Sequence, residues 1–253
     1  MMSKPRGFAC IVSNTSFRGD PDSYRKGAHT DAMCLLHLFE ALGFNVTQYE
    51  NVTKDELTNP ENGILTKFLS QFGGETVVDC CMFAIMSHGH DGFVRSVDHE
   101  QPENPLANHW NIEDIISRFN NRNCPALRGK PKIFFVQACR GKESGAGVSS
   151  RVQMDFKNLT YSNATERTWQ EPPAVDRMPT YEDTLVCYST VPGFVSNRDP
   201  DRGTWYIESL TKVFMVCAHN TEIMEMLKRV KKIGPMITIL GSCLCAVLIF
   251  IIF

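Results

Sequence analysis

The sequence predicts an α/β fold in which a mostly parallel sheet carries helices on both faces. Three observations lead to that expectation. Residues 7–13 (GFACIVS), 76–86 (TVVDCCMFAIM) and 132–137 (KIFFVQ) are apolar runs, the pattern of strands buried on both faces. Between them lie segments with apolar residues at helical spacing, such as TDAMCLLHLFEAL at 30–42. Alternation of the two at this length is the signature of parallel strands joined by crossover helices.

Taken in order, 7–13 is a buried strand and 20–27 is polar and turn-like. A helix over 30–42 stops at Gly43, which suits a helix C-terminus. Residues 44–49 read as a strand, and 54–72 as a helix broken at Pro60-Glu61-Asn62-Gly63. The run 76–86 is a central strand, 112–119 a short helix and 132–137 a further buried strand. Residues 141–183 then lack apolar periodicity and carry Gly, Ser, Asn and Pro. A structureless stretch of that length inside a compact domain is unusual, so it reads as a functional segment or a linker. A strand at 184–188 and helices at 204–217 and 222–232 follow.

The 253 residues suffice for one or two domains, and a formal net charge of -2 argues against a nucleic-acid partner held by phosphate contacts. Ten cysteines without a C-x-x-C pair read as reduced thiols, and no apolar core of signal-peptide length opens the chain, so a cytosolic globular part is expected. Residues 233–253 contain no charged side chain and follow Lys228, Arg229, Lys231 and Lys232. That run is long enough to span a hydrocarbon core of about 30 Å, and the basic cluster marks the cytosolic side. The expectation is a C-terminal transmembrane helix and a tail-anchored protein whose catalytic part faces the cytosol.

Two strand ends carry chemistry. The run ending at Met86 leads into Ser87-His88-Gly89-His90-Asp91-Gly92, and the run ending at Gln137 leads into Ala138-Cys139-Arg140-Gly141. In open parallel sheets, sites form at the carboxyl ends of strands. A thiolate attacks a carbonyl far better than a thiol, so an imidazole beside the cysteine would activate it. Gly89 leaves its backbone N–H open, and with the N–H of Cys139 it could hold an oxyanion. The residues alone leave two alternatives: a packed structural cysteine, or a fragment of a zinc site at His88-x-His90-Asp91, for which further spaced ligands are lacking.

Gln137-Ala138-Cys139-Arg140-Gly141, with His88 lying 51 residues upstream, resembles the caspase family signature. The resemblance extends over about residues 6–232 through GFACIVSN, MSHGHDG, GKPKIFFVQACRG, YSTVPGF and GTWYIESL, with an initiator-type flavour in VPGFVSNRDPDRGTWYIESL. It implies a three-layer caspase-like sandwich and a cysteine endopeptidase that cuts after Asp through a thioester acyl-enzyme, in apoptosis or a related pathway. His88 would be general base and acid, Cys139 the nucleophile, and Gly89 with Cys139 the oxyanion hole. Arg25, Gln137 and Arg198 would hold the substrate Asp carboxylate, and the main chain of Ser196 would pair with the substrate backbone. Asn197 stands where the family usually has Trp, which alters the wall of the neighbouring subsite.

The resemblance also divides the chain into a large-subunit region (1–142), an intersubunit linker (143–180) cut after Asp155 or Asp176, a truncated small-subunit region (181–232) and the tail anchor (233–253). No recruitment domain is expected ahead of residue 7. The family's last sheet strand, at its dimer interface, is expected to be missing, because the apolar tail stands in its place. The partners implied are protein substrates with Asp at P1, a homo- or heterodimer with caspases, and a membrane; no metal or cofactor is implied. An alternative function is a catalytically weak, membrane-anchored regulator that binds full-length caspases.

Overall fold

A computed structural model describes residues 3–90, 92–98, 103–104, 106–140, 180–191, 196, 198–237 and 248–252. Its centre is a six-stranded sheet. β1 (Gly7–Ser13), β2 (Phe44–Glu50), β3 (Cys80–Met86), β7 (Lys132–Gln137) and β8 (Thr184–Tyr188) are parallel, and β11 (Leu248–Ile252) is antiparallel, in the order β11-β8-β7-β3-β1-β2. The apolar runs make strands because alternate residues bury on opposite faces, so both faces need apolar side chains. Phe8, Cys10, Val12, Cys81, Phe83, Ile85, Phe134 and Val136 belong to one core, and Ala9, Ile11, Cys80, Met82, Ala84, Ile133 and Phe135 to the other.

The first core is closed by α2 (Lys54–Thr58), α3 (Ile64–Ser70) and α4 (Ile112–Ser117), which contribute Leu57, Leu65, Phe68 and Ile115. α1 (Ala28–Ala41), α5 (Trp205–Cys217) and α6 (Ile223–Ile237) close the second with Leu35, Leu38, Leu210, Phe214 and Leu227. The anticipated break in the 54–72 helix is real. Asn59 ends α2, with its N–H donating to the Asp55 carbonyl at 2.8 Å, and Pro60 cannot continue the ladder. At the other end of α2, Thr53 and Glu56 form a reciprocal capping box.

Two small antiparallel units decorate the sheet: β4 (Gly89–His90), β5 (Phe93–Arg95) and β6 (His109–Asn111), and the hairpin of β9 (Arg198–Asp199) and β10 (Gly203–Thr204). Strands of two or three residues are too short to show a period, so the sequence did not announce them.

The C-terminal expectations need correction. Residues 248–252 form β11, an edge strand on β8, with Phe250 opposite Val186. The position expected to be vacant is therefore filled. α6 runs on to Ile237, so the uncharged run is divided between a helix and a strand. Among the described residues no helix is long and apolar enough to cross a membrane. The transmembrane helix, the membrane partner and the tail-anchored localisation fall with that finding. Apolar and β-branched residues satisfy a buried strand as well as a membrane span, and here the unpaired edge of β8 decides between them.

Candidate active site

Because β1, β3, β7 and β8 are parallel, their carboxyl ends lie along one edge. Backbone bonds hold the segments that leave it: Asn14 N–H to the Met86 carbonyl at 2.8 Å, Ser87 N–H to the Gln137 carbonyl at 3.1 Å, and Ser189 N–H to the Val136 carbonyl at 3.0 Å. Met86 and Gln137 are direct partners in the ladder. His88 and Cys139 stand two residues beyond them, so the topology places both at the same step of the edge.

Gly89 explains how closely the two loops approach. A Cβ there would stand 2.5 Å from the Phe93 carbonyl oxygen, 3.0 Å from the Ala138 Cβ and 3.3 Å from the Cys139 carbonyl oxygen. Any side chain would push the His88 loop away from the Cys139 loop. Beyond Cys139, the Arg140 guanidinium lies 4.3 Å from the Tyr188 ring centroid, fastening the exit of the Cys139 loop to β8.

His88 Nε2 lies 2.7 Å from the Ser23 carbonyl oxygen. A carbonyl only accepts, so Nε2 carries the hydrogen and Nδ1 is the ring nitrogen free to take a proton. Burial lowers the affinity of His88 for a second proton, and Arg25, Arg198 and Arg95 add to this against the opposing Ser23 carbonyl. Burial thus favours the neutral imidazole, the form that can accept a proton.

Arg25 is the least expected member. It is 1% exposed, and its Nη1 donates to the Asn14 carbonyl at 2.6 Å. Its Nε has no hydrogen-bond partner among the described residues, and the same is true of Arg198 Nε. Burial first, then the charge of Arg198, brings Arg25 down to about 9, while Asp31 and Cys139 act the other way. Burial also lowers Arg198, whose Nη1 reaches the Lys26 carbonyl at 3.5 Å. Gly27 permits that approach: at φ +83 it brings the chain so near the hairpin that a Cβ would stand 2.7 Å from the Asp199 carbonyl oxygen. Gln137, 2% exposed, donates from Nε2 to Ser196 Oγ at 2.7 Å, and the Ser196 N–H meets Cys139 Sγ at 3.5 Å. The residues singled out from the sequence, His88, Gly89, Cys139, Arg25, Gln137, Ser196 and Arg198, therefore converge at one edge. Asn197, Asp155 and Asp176 lie outside the described residues.

Asp31 escaped the sequence reading. It sits in the first turn of α1, 1% exposed, and Oδ1 accepts from the Thr204 N–H at 2.7 Å and the Thr204 hydroxyl at 3.1 Å. Its charge acts on both arginines. A carboxylate six residues after Arg25 was the available signal, but its burial was not. Burial raises Asp31 from 3.8 to about 6. The folded chain therefore holds this proton more tightly than the unfolded chain. The resulting stabilisation is present in full below about 3.8 and is lost as pH rises through about 6. Its scale is on the order of 3 kcal/mol. Melting temperatures between pH 4 and 7 should show the native protein losing ground to Asp31→Asn as pH rises; parallel curves would refute this.

One buried and one half-buried guanidinium thus stand near the Cys139 thiol and the oriented His88 imidazole. A model of the caspase domain matches residues 6–233. The chain belongs to the caspase family. Caspase-2 of Gallus gallus is 34% identical over 92% of this chain and 52% of its own length, and human caspase-9 is 34% identical over 90% and 55%. The chain thus spans about half the length of these curated relatives. The crystal structure of caspase-1 from Spodoptera frugiperda superposes with a TM-score of 0.75 at 24% identity, covering 98% of this chain and 87% of that one. That likeness shows the caspase fold, the mostly parallel sheet included.

Proposed function

We propose that the chain is a cysteine endopeptidase that cleaves peptide bonds on the carboxyl side of Asp, in apoptosis or a related caspase pathway. The observation that supports this reading is the pairing of buried Arg25 with half-buried Arg198, each with an Nε that has no hydrogen-bond partner among the described residues and each near enough for the Cys139 charge to act on it. Buried like charges are costly unless an anion completes the site, and a guanidinium matches a carboxylate in planar, forked geometry. Gln137, already committed to Ser196 through one amide N–H, has a second to give.

In this reading His88 Nδ1 takes the Cys139 proton, and the thiolate attacks the carbonyl carbon of the substrate Asp. The N–H groups of Gly89 and Cys139 receive the oxyanion. The intermediate collapses to a thioester as His88 returns the proton to the leaving amine. Water, deprotonated by the same imidazole, then hydrolyses the thioester. The Ser196 main chain aligns the substrate strand. Residues 1–142 act as the large-subunit region and those from 181 onward as the small-subunit region, with 143–180 cut after Asp155 or Asp176. The partners are protein substrates with Asp at P1 and a second caspase chain as dimer partner. The alternative, a catalytically weak regulator that binds full-length caspases, can no longer rest on a tail anchor or a lost strand, and absence of Cys139-dependent cleavage would favour it.

The test is incubation of the full chain with peptides that differ only at P1. Cleavage at Asp in preference to Asn, by a factor of about 10² or more, is expected. Equal cleavage of both, or cleavage of neither at any enzyme concentration, overturns the reading.

A further inference from the structure

A partly buried ion pair outside the substrate pocket ties together the two loops that hold His88. Arg95, at the end of β5, is 7% exposed, and its Nη1 donates to Asp20 Oδ2 at 2.8 Å; Asp20 is 30% exposed. The same Nη1 reaches Ser23 Oγ at 3.2 Å, and Ser23 Oγ donates to Asp20 Oδ2 at 2.6 Å. Asp20, Ser23 and Arg95 thus form a closed triangle around the one-turn 3-10 helix Pro21–Ser23. The carbonyl of that same Ser23 faces His88 Nε2.

Arg95 also grips His88 from its own strand. Its backbone N–H donates to the His88 carbonyl at 2.9 Å, and its carbonyl accepts from Asn14 Nδ2 at 2.9 Å and Ser87 Oγ at 2.7 Å. Its guanidinium lies 4.6 Å from the Phe17 ring centroid, and that ring lies 5.1 Å from the His88 ring. One side chain therefore fixes the imidazole's carbonyl partner, packs the aromatic beside the imidazole, and shares a backbone bond with the residue itself.

We propose that Arg95 and Asp20 are positioning residues that hold the Ser23 carbonyl against His88 Nε2, and so keep His88 in the single tautomer whose Nδ1 can accept the Cys139 proton. The catalytic meaning of the device rests on His88 being the base, but the tautomer itself does not. Without the triangle, Ser23 is free to turn its carbonyl away. The ring then loses the only hydrogen-bond partner among the described residues that distinguishes its two nitrogens.

The experiment compares the full chain with Arg95→Gln and Asp20→Asn, using ¹⁵N imidazole spectra assigned with a His88→Ala control. The native His88 signal is expected to show one tautomer, protonated at Nε2; both variants should show a mixture. Where P1-Asp cleavage is measurable, kcat should fall about tenfold or more with KM little changed, because the arginine pocket is untouched. The acid limb of the pH profile should fall in Arg95→Gln, because the Ser23 carbonyl that raises His88 is lost, and this outweighs removal of the Arg95 charge, the smallest of the influences that lower it. Asp20→Asn, at the more exposed partner, keeps the test valid if Arg95→Gln does not fold. A single Nε2–H tautomer in a folded variant, with kcat and the acid limb unmoved, overturns the proposal. An inactive native chain that nevertheless shows the tautomer switch supports the device and removes only the protease reading.

Discussion

Cys139→Ala is expected to reduce cleavage of a P1-Asp peptide to background, a loss of about 10⁴-fold or more in kcat, with folding unchanged. The magnitude follows from what is removed. In the proposed mechanism the oxyanion amides and the two arginines still bind substrate without it, but the thiol that forms the thioester is gone. The fold should tolerate the change because Cys139 is only half-buried and, among the described residues, its Sγ receives one long hydrogen bond, the 3.5 Å approach of the Ser196 N–H. The measurement is steady-state hydrolysis beside a melting curve. Labelling by an electrophilic P1-Asp peptide provides a second readout, expected on the native chain and absent from the variant. Persistent cleavage by Cys139→Ala would place the chemistry elsewhere.

The second large effect is at the carboxylate pocket. Arg198→Ala should lower kcat/KM for P1-Asp by about 10²- to 10³-fold, or ~3–4 kcal/mol, through loss of a charge-assisted and partly buried contact. Arg198→Lys should restore little, since an ammonium cannot supply the planar fork. Arg25→Ala should cost at least as much activity and also some stability. Arg25 is more deeply buried, holds the Asn14 carbonyl through Nη1, and partly balances Asp31. Comparing the two separates binding from architecture: Arg198→Ala should melt close to the native protein, and Arg25→Ala below it. Undiminished P1-Asp cleavage by Arg198→Ala would remove it from the pocket.

Elements with a strong local pattern were readable before the fold was known. β1 and β7 occupy their expected residues, because a strand buried on both faces leaves no position for a polar side chain except at its ends. The α2–α3 break was visible in Pro60 and Gly63. β11 was not visible as a strand. An uncharged run of apolar and β-branched residues suits two environments, and the choice depends on the open edge of β8, distant in sequence. The site divides in the same way. Cys139 and His88 sit at strand ends and could be found by pattern. Asp31, Asp20 and Arg95 function through bonds to Thr204, Ser23 and the His88 backbone, and nothing local marks such pairings.

β7 and β8 are adjacent in the sheet, with Lys132 opposite Thr184 and Val136 opposite Tyr188, although some forty residues of chain separate them. The Thr204 N–H and hydroxyl anchor to Asp31 across the same interval, and Ser196 and Arg198 meet Gln137, Cys139 and Lys26 across it. The covalent link through 141–179 is therefore redundant for the scaffold. Severing it is expected to yield two polypeptides interlocked through a shared sheet, which should copurify under native conditions and separate only in denaturant. A cut there is expected to leave in place every bond named above, none of which involves a residue of that stretch.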